Sequence, residues 1–259
     1  MEDAQVRLAQ AWDEAAEGYE GYFVPRFAPW VADAVAPVRG ELPRGPILVP
    51  CCGTFPELPA LRAARPEREL VGVDLSAGMV DIARARAAGD PRVRVVVGDA
   101  VEVEPSGYAA VVSVFGLQQL PDPAAALAFW VRGLRSGGVL SAVFWPPQLD
   151  ADGPFALLGQ AAGGGHPAEP PARPDRLADA VVAAGGVVER DEDVVHPVSH
   201  PDAATFFAAM TTGGPGRAAA RTMPPGDLEA LRTRFLEQAP GGEWTHTPRA
   251  RHVVARLPG

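Results

Sequence analysis

Between residues 45 and 145, five short apolar runs alternate with stretches of helical character, and this alternation leaves few architectures open to the chain. The runs are GPILVPCCG (45–53), ELVGVD (69–74), RVRVVVGD (92–99), YAAVVSVFG (108–116) and GGVLSAVFW (137–145), rich in valine and bounded by turn residues. Helices are expected from about Pro56 to Ala64, over 76–89 with Ser76 as N-cap and Gly89 as C-cap, and from about Pro123 to Leu134. Strands with no polar face need cover on both sides, which points to a parallel sheet between helical layers.

Further strands are expected over 186–195 and 248–257, and helices over 174–184, 202–211 and 226–238. The fold class is therefore α/β: a doubly wound, Rossmann-like, seven-stranded and mostly parallel sheet with its last strand antiparallel, plus a helical lid. Residues 5–38 carry Trp12, Tyr19, Tyr22, Phe23 and Trp30 and read as two helical pieces ending at Pro37. Residues 146–174, rich in Pro and Gly, read as a loop or insertion over the carboxyl edge of the sheet. This divides the chain into a helical lid or buttress (1–44), a cofactor-binding core (45–145), and an insertion with lid helices and the remaining strands of the same core (146–259).

A formal charge of −9, with Arg as the sole strong cation and no basic block, argues against a nucleic-acid partner. No apolar run is long enough to span a membrane, and MEDAQVRLAQ lacks a secretory pattern, so a cytoplasmic location without a membrane partner is expected. Cys51 and Cys52 are adjacent and have no metal-ligand spacing; they read as buried small residues, and no metal is expected. Oligomeric state leaves no mark in the sequence.

In an open parallel sheet, ligands bind beyond the carboxyl ends of the strands, where the strand order reverses. Asp74 follows Gly53 by 21 residues, near the offset at which an acidic side chain meets an adenosine ribose. That spacing suits a dinucleotide or an adenosyl cofactor. A pyrophosphate, however, needs a glycine-rich turn for close backbone approach. Here Cys51 and Phe55 flank a lone Gly53, which favours a cofactor without phosphate, S-adenosylmethionine.

The motifs resemble those of the class I S-adenosylmethionine-dependent methyltransferases, in particular the branch similar to ubiquinone and menaquinone biosynthesis methyltransferases. ILVPCCGTFPEL is similar to the first motif, VGVDLSAGMVDIARARA to the second, VVVGDA to the third, and SVFGLQQLPDP with GLRSGGVLSAVFW to the fourth and fifth. The resemblance implies methyl transfer to a small molecule. It also implies that Cys52 and Gly53 pass the methionine tail, Asp74 holds the ribose hydroxyls, and Leu75 and Met79 flank the adenine. Asp99 would accept the adenine amino group with Ala100 beside it, Phe115 and Gly116 would lie under the ribose and sulfonium, and Tyr19 would close over the cofactor. Departures fall in the first loop, where Val49 replaces an acidic residue and Cys51 and Phe55 replace glycines.

Methyl transfer demands positioning and water exclusion more than elaborate catalytic groups, although a hydroxyl or ammonium acceptor must lose a proton. The fourth-motif loop offers Gln118 and Gln119, which orient but do not accept protons at neutral pH. Candidates for catalysis are His166, His200 and Gln119; candidates for the acceptor pocket are Trp12, Tyr22, Gln118 and Trp145. Two alternatives remain open: a scaffold repurposed for cyclisation or elimination with Phe55 filling part of the cleft, and a noncatalytic partner subunit. The composition, without Lys or Asn, suggests a GC-rich bacterial source and a role in secondary metabolism.

Overall fold

The computed structural model describes residues 2–103, 107–146, 150, 152–163 and 176–259. They form two compact units. One gathers residues 1–26, 146–173 and 195–249, and the other 27–145, 174–194 and 250–259.

The second unit holds a seven-stranded sheet. Its strands are β1 (Ile47–Pro50), β2 (Leu70–Asp74), β3 (Val93–Val97), β4 (Tyr108–Val114), β5 (Leu134–Phe144), β6 (Val187–Val195) and, last in the chain, β9 (Arg249–Arg256), in the order β3-β2-β1-β4-β5-β9-β6. β1, β2, β3, β4 and β5 pair in parallel, while β9 runs antiparallel to β5, Val143 facing His252. The chain steps outward from β1 to β3 and then crosses back to β4, so the order reverses between β1 and β4.

Burial explains why these runs are strands. All four β1 residues are buried, as is β4 up to Ser113, which is the accessibility of a sheet covered on both faces. Leu48, Val71, Val111 and Leu140 join Leu127, Trp130 and Val131 of helix α4 (Pro123–Arg132) and Val181 of α6 (Arg176–Ala183) in one core. The intervening helices α2 (Leu58–Ala64) and α3 (Ala77–Arg86) follow β1 and β2. The Ser76 side chain accepts a hydrogen bond from Met79 N at 3.1 Å and caps α3, and Asp122 caps α4 in the same way through Ala125 N.

The N-terminal segment departs from expectation. Instead of two helical pieces, it is one helix, α1 (Glu2–Val35), followed by a 3-10 turn, Ala36–Arg39. Pro25 and Pro29 lie inside it, and each removes one backbone hydrogen bond. Buried Ala11, Ala15, Phe23, Phe27, Trp30 and Ala34 recur at helical spacing on both sides of the prolines, and this side-chain burial outweighs the local loss.

The first unit contains α5 (Gly153–Ala161), α7 (Ala203–Thr212), α8 (Arg217–Thr222), α9 (Pro225–Gln238) and a two-stranded antiparallel sheet of β7 (Val198–His200) and β8 (Trp244–His246). Helix α5 corrects the reading of 146–174 as loop. β7, β8 and α8 have no counterpart in the sequence reading. Backbones of α1 and the end of α7 approach closely at Gly18 and Gly213: a Cβ on Gly18 would stand 2.7 Å from the Gly213 Cα, so neither site tolerates a side chain without a backbone shift.

Candidate functional site

At the strand-order reversal, the loops after β1 and β4 carry three left-handed residues that are not glycine: Cys51 (φ 53°), Phe55 (φ 60°) and Phe115 (φ 55°), with Gly53 at 52°. Cys51 and Phe55 therefore keep a glycine-type backbone although they carry side chains, at a cost of roughly 1–2 kcal/mol each. Hydrogen bonds fix the turn: Cys52 N donates to Val73 O at 3.0 Å, and Phe55 N to Cys52 O at 2.7 Å.

The Phe55 side chain is fully buried. A Cβ on Gly72 of β2 would stand 3.2 Å from the Phe55 ring and 3.0 Å from Cys52 Sγ, so the ring packs over the strand where Gly72 leaves room. On the other side of the turn, a Cβ on Gly116 would meet the Cys51 Cβ at 2.3 Å, so glycine at 116 is what lets the β4 loop approach the β1 loop.

Asp74 ends β2 and ties these parts together. Its Oδ2 accepts from Gly53 N at 2.8 Å and its Oδ1 from Ser76 N at 3.0 Å. A carboxylate oxygen accepts more than one hydrogen bond, so these contacts orient Asp74 and still permit it to receive ribose hydroxyls. A Cβ on Gly53 would meet nothing nearer than Met79 Sδ at 4.0 Å, which leaves the backbone of the turn approachable by a ligand.

The other candidates in this unit are distributed along the same edge. Leu75 is half-buried and Met79 buried. Asp99 Oδ1 accepts from Val101 N at 3.0 Å, and Ala100 O accepts from the Trp130 indole at 2.9 Å, which fixes the loop after β3. Phe115 stacks on Trp145 with centroids 4.1 Å apart and planes within 6°, and the edges of Phe27 and Trp30 enclose the pair. Gln118 donates through Nε2 to Phe115 O at 2.6 Å, while its Oε1 is buried with no partner. Gln118 and Gln119 share a 3-10 turn, Leu117–Gln119.

Glu57 was missed by sequence reasoning. It is 1% exposed, its Oε2 has no hydrogen-bond partner, and burial pushes its carboxyl up to about 8, with its own backbone N–H and Arg86 opposing and Asp74 reinforcing the rise. The available signal was an acid inside an otherwise apolar motif, eight positions after Val49. Burial also raises the thiols of Cys51 and Cys52 well above their ordinary value, which leaves them protonated packing groups.

The first unit gathers its own candidates. Trp12 meets Tyr19 edge-on at 5.5 Å and Tyr19 stacks on Phe23. The Tyr22 hydroxyl lies 2.7 Å from His200 Nδ1, and His200 Nε2 lies 3.1 Å from His246 Nε2. His246 was not among the sequence candidates, and the β7–β8 pairing that sets it opposite Val198 joins residues more than 40 positions apart in the chain. His166 lies outside the described residues.

The chain has counterparts among known proteins. Residues 47–138 match a methyltransferase domain. Over 93 residues the chain is 36% identical to the demethylmenaquinone methyltransferase of Staphylococcus aureus, an alignment covering 35% of this chain and 39% of that enzyme. The match thus spans about two fifths of the length of this relative. Among solved structures, the YcgJ protein of Bacillus subtilis superposes with a TM-score of 0.60 at 16% identity, covering 89% of this chain and 99% of that one. The [4+2]-cyclase SpnF gives 0.52 at 22% identity, covering 89% and 81%. The fold is the Rossmann-like arrangement expected from the sequence, and a fold shared with a cyclase does not by itself specify the reaction.

Proposed function

We propose that the chain is an S-adenosylmethionine-dependent methyltransferase acting on a small-molecule acceptor. The observation that carries this reading is the Asp74 carboxylate, held by Gly53 N and Ser76 N at the strand-order reversal beside an open left-handed glycine. The match of residues 47–138 to a methyltransferase domain supports it.

In this reading, Cys52 and Gly53 pass the methionine tail, Asp74 takes the ribose hydroxyls, and Leu75, Met79, Asp99 and Ala100 receive the adenine. Phe115, locked against Trp145, underlies the ribose. Held by these residues, S-adenosylmethionine would supply an electrophilic methyl group to the acceptor. The protein's part is to orient the reactants and keep water away. Gln118 and Trp145 are assigned to the acceptor, as are Trp12 and Tyr22, and Tyr19 to the cofactor. Among the described residues no helix is long and apolar enough to cross a membrane; we assign the enzyme to the cytoplasm and to bacterial secondary metabolism.

Calorimetric titration with S-adenosylmethionine and S-adenosylhomocysteine tests the proposal, followed by transfer of isotope-labelled methyl into product. Binding that weakens by about 10²-fold in Asp74→Ala is the expected result. Silence toward both ligands would overturn the reading, and binding without labelled product would move the chain to a non-methylating reaction.

A further inference from the structure

The end of the sheet opposite the cofactor turns gathers cations from four separate stretches of chain. Residues 39–43 lead into β1, Arg65 closes α2 ahead of β2, Ser136 and Gly137 lie near the start of β5, and Arg256 ends the antiparallel β9. All of them therefore meet at the amino edge of the parallel strands, whereas Gly53 and Asp74 stand at the carboxyl edge. They line one groove of about 850 Å³, walled by Arg39, Arg65 and Arg256 with Ser136, Gly137 and Glu41. Every one of these residues belongs to the second unit.

The guanidinium groups are anchored in a way that leaves donors over. Arg65 donates from Nε to Val38 O at 2.8 Å and from Nη2 to Gly40 O. Arg256 donates from Nη1 to Gly137 O at 2.9 Å and to Glu41 O at 3.4 Å, and its Nε pairs with Glu189 at 2.8 Å. The successive carbonyls of Gly40 and Glu41 thus tie Arg65 and Arg256 to one short segment. A carbonyl orients a guanidinium without cancelling its charge, and half-buried Arg65 bonds to carbonyls alone among the described residues. Arg39 is exposed and has no hydrogen-bond or ion-pair partner among the described residues. Arginine carries five N–H donors, so Nη1 of Arg65, Nη2 of Arg256 and the whole fork of Arg39 remain for a ligand.

We propose that this groove binds a small polyanion through its phosphate groups. Guanidinium forks match phosphate oxygens two at a time, and forks already anchored by backbone lose little freedom on binding. In a chain of formal charge −9, the groove wall sets three arginines against one acid, Glu41, with the Ser136 hydroxyl as a further donor. Three forks supply more charge than a single carboxylate answers, which favours a ligand with several phosphate oxygens. Because the groove and the cofactor turns lie at opposite ends of the same strands, the polyanion and the cofactor do not compete for space.

The test uses the full chain and inorganic tripolyphosphate at low ionic strength. Calorimetric titration is expected to show one saturable site, weakened about tenfold or more in Arg39→Ala and in Arg65→Lys, the second of which keeps the charge and loses the fork. Arg39 has no protein partner to lose, so its alanine variant should melt at the wild-type temperature. Arg94→Ala, which removes an exposed cation from the edge strand β3, is the control and should bind as wild type. Amide NMR resonances of Gly40 and Gly137 should move during the titration while those of Gly53 and Ser76 stay in place. Wild-type affinity in both groove variants, an equal loss in Arg94→Ala, or no movement at Gly40 and Gly137 would each overturn the site. Citrate binding as tightly as tripolyphosphate would overturn its assignment to phosphate.

Discussion

The two units solve opposite problems with buried polar groups. At the sheet edge, Asp74 is satisfied by backbone amides of two neighbouring loops, Ser76 two residues on and Gly53 on the loop after the adjacent strand β1. In the other unit, His200 is satisfied only by side chains 178 and 46 residues away, Tyr22 and His246. A site built from adjacent loops is written locally, whereas a site built from distant helices and short strands exists only once the chain has folded. The first kind is expected to survive large sequence drift; the second depends on each contributor.

Four measurements sharpen or break this contrast. The largest effect is expected for Phe55→Gly: relief of the left-handed strain returns about 1 kcal/mol, but removal of a fully buried phenyl costs about 3–5 kcal/mol, so unfolding free energy should drop by several kcal/mol. A gain in cofactor affinity without loss of stability would mean that the ring occupies the ligand's place. Next, Asp74→Ala should lower S-adenosylmethionine affinity by about 10²-fold, the cost typical of removing a charged binding partner, with secondary structure by circular dichroism unchanged.

The third measurement is stability against pH. Glu57 has a folded pKa raised from 4.5 to about 8; the folded state holds the extra proton between these values, so its contribution is intact below pH 4.5 and is lost as pH rises toward 8. His200, His246 and His252 have folded pKa values lowered from 6.5 to about 4, so their contribution is intact above pH 6.5 and is lost as pH falls toward 4. His252 adds to this from within the sheet, bonded to Ser141 at 2.9 Å with its Nδ1 buried and unpartnered. Denaturant titrations should therefore give a bell-shaped curve. Glu57→Gln should flatten its alkaline limb, a change on the order of 4–5 kcal/mol, and leave the acid limb in place; a slope unchanged by this substitution would refute the buried-acid assignment. The smallest effect is Ser76→Ala, which removes the α3 cap and should cost about 1 kcal/mol in thermal or chemical denaturation.

The same contrast explains what could be read in advance. The strands from β1 to β5, the Ser76 cap and the spacing of Asp74 from Gly53 rest on neighbouring residues, and apolar runs with turn residues announce them. The continuity of α1 through Pro25 was hidden because the local rule against proline is overridden by Phe23, Phe27 and Trp30, whose burial depends on distant parts of the chain. Three-residue strands such as β7 and β8 are too short to show periodicity, and so the partnership of His200 with His246 was invisible. Phe55 was legible as a departure from a glycine-rich turn, but its direction depended on Gly72, a strand residue whose missing side chain has meaning only in three dimensions.

The orphaned carboxyl of Glu57 has a thermodynamic consequence for any ligand that brings positive charge to the turn above it. Such a ligand would favour the ionised acid and release a proton on association, so the apparent heat of binding would include the ionisation heat of the buffer. Titrations in phosphate and in Tris would then disagree in enthalpy while agreeing in affinity, and their difference would count the protons expelled.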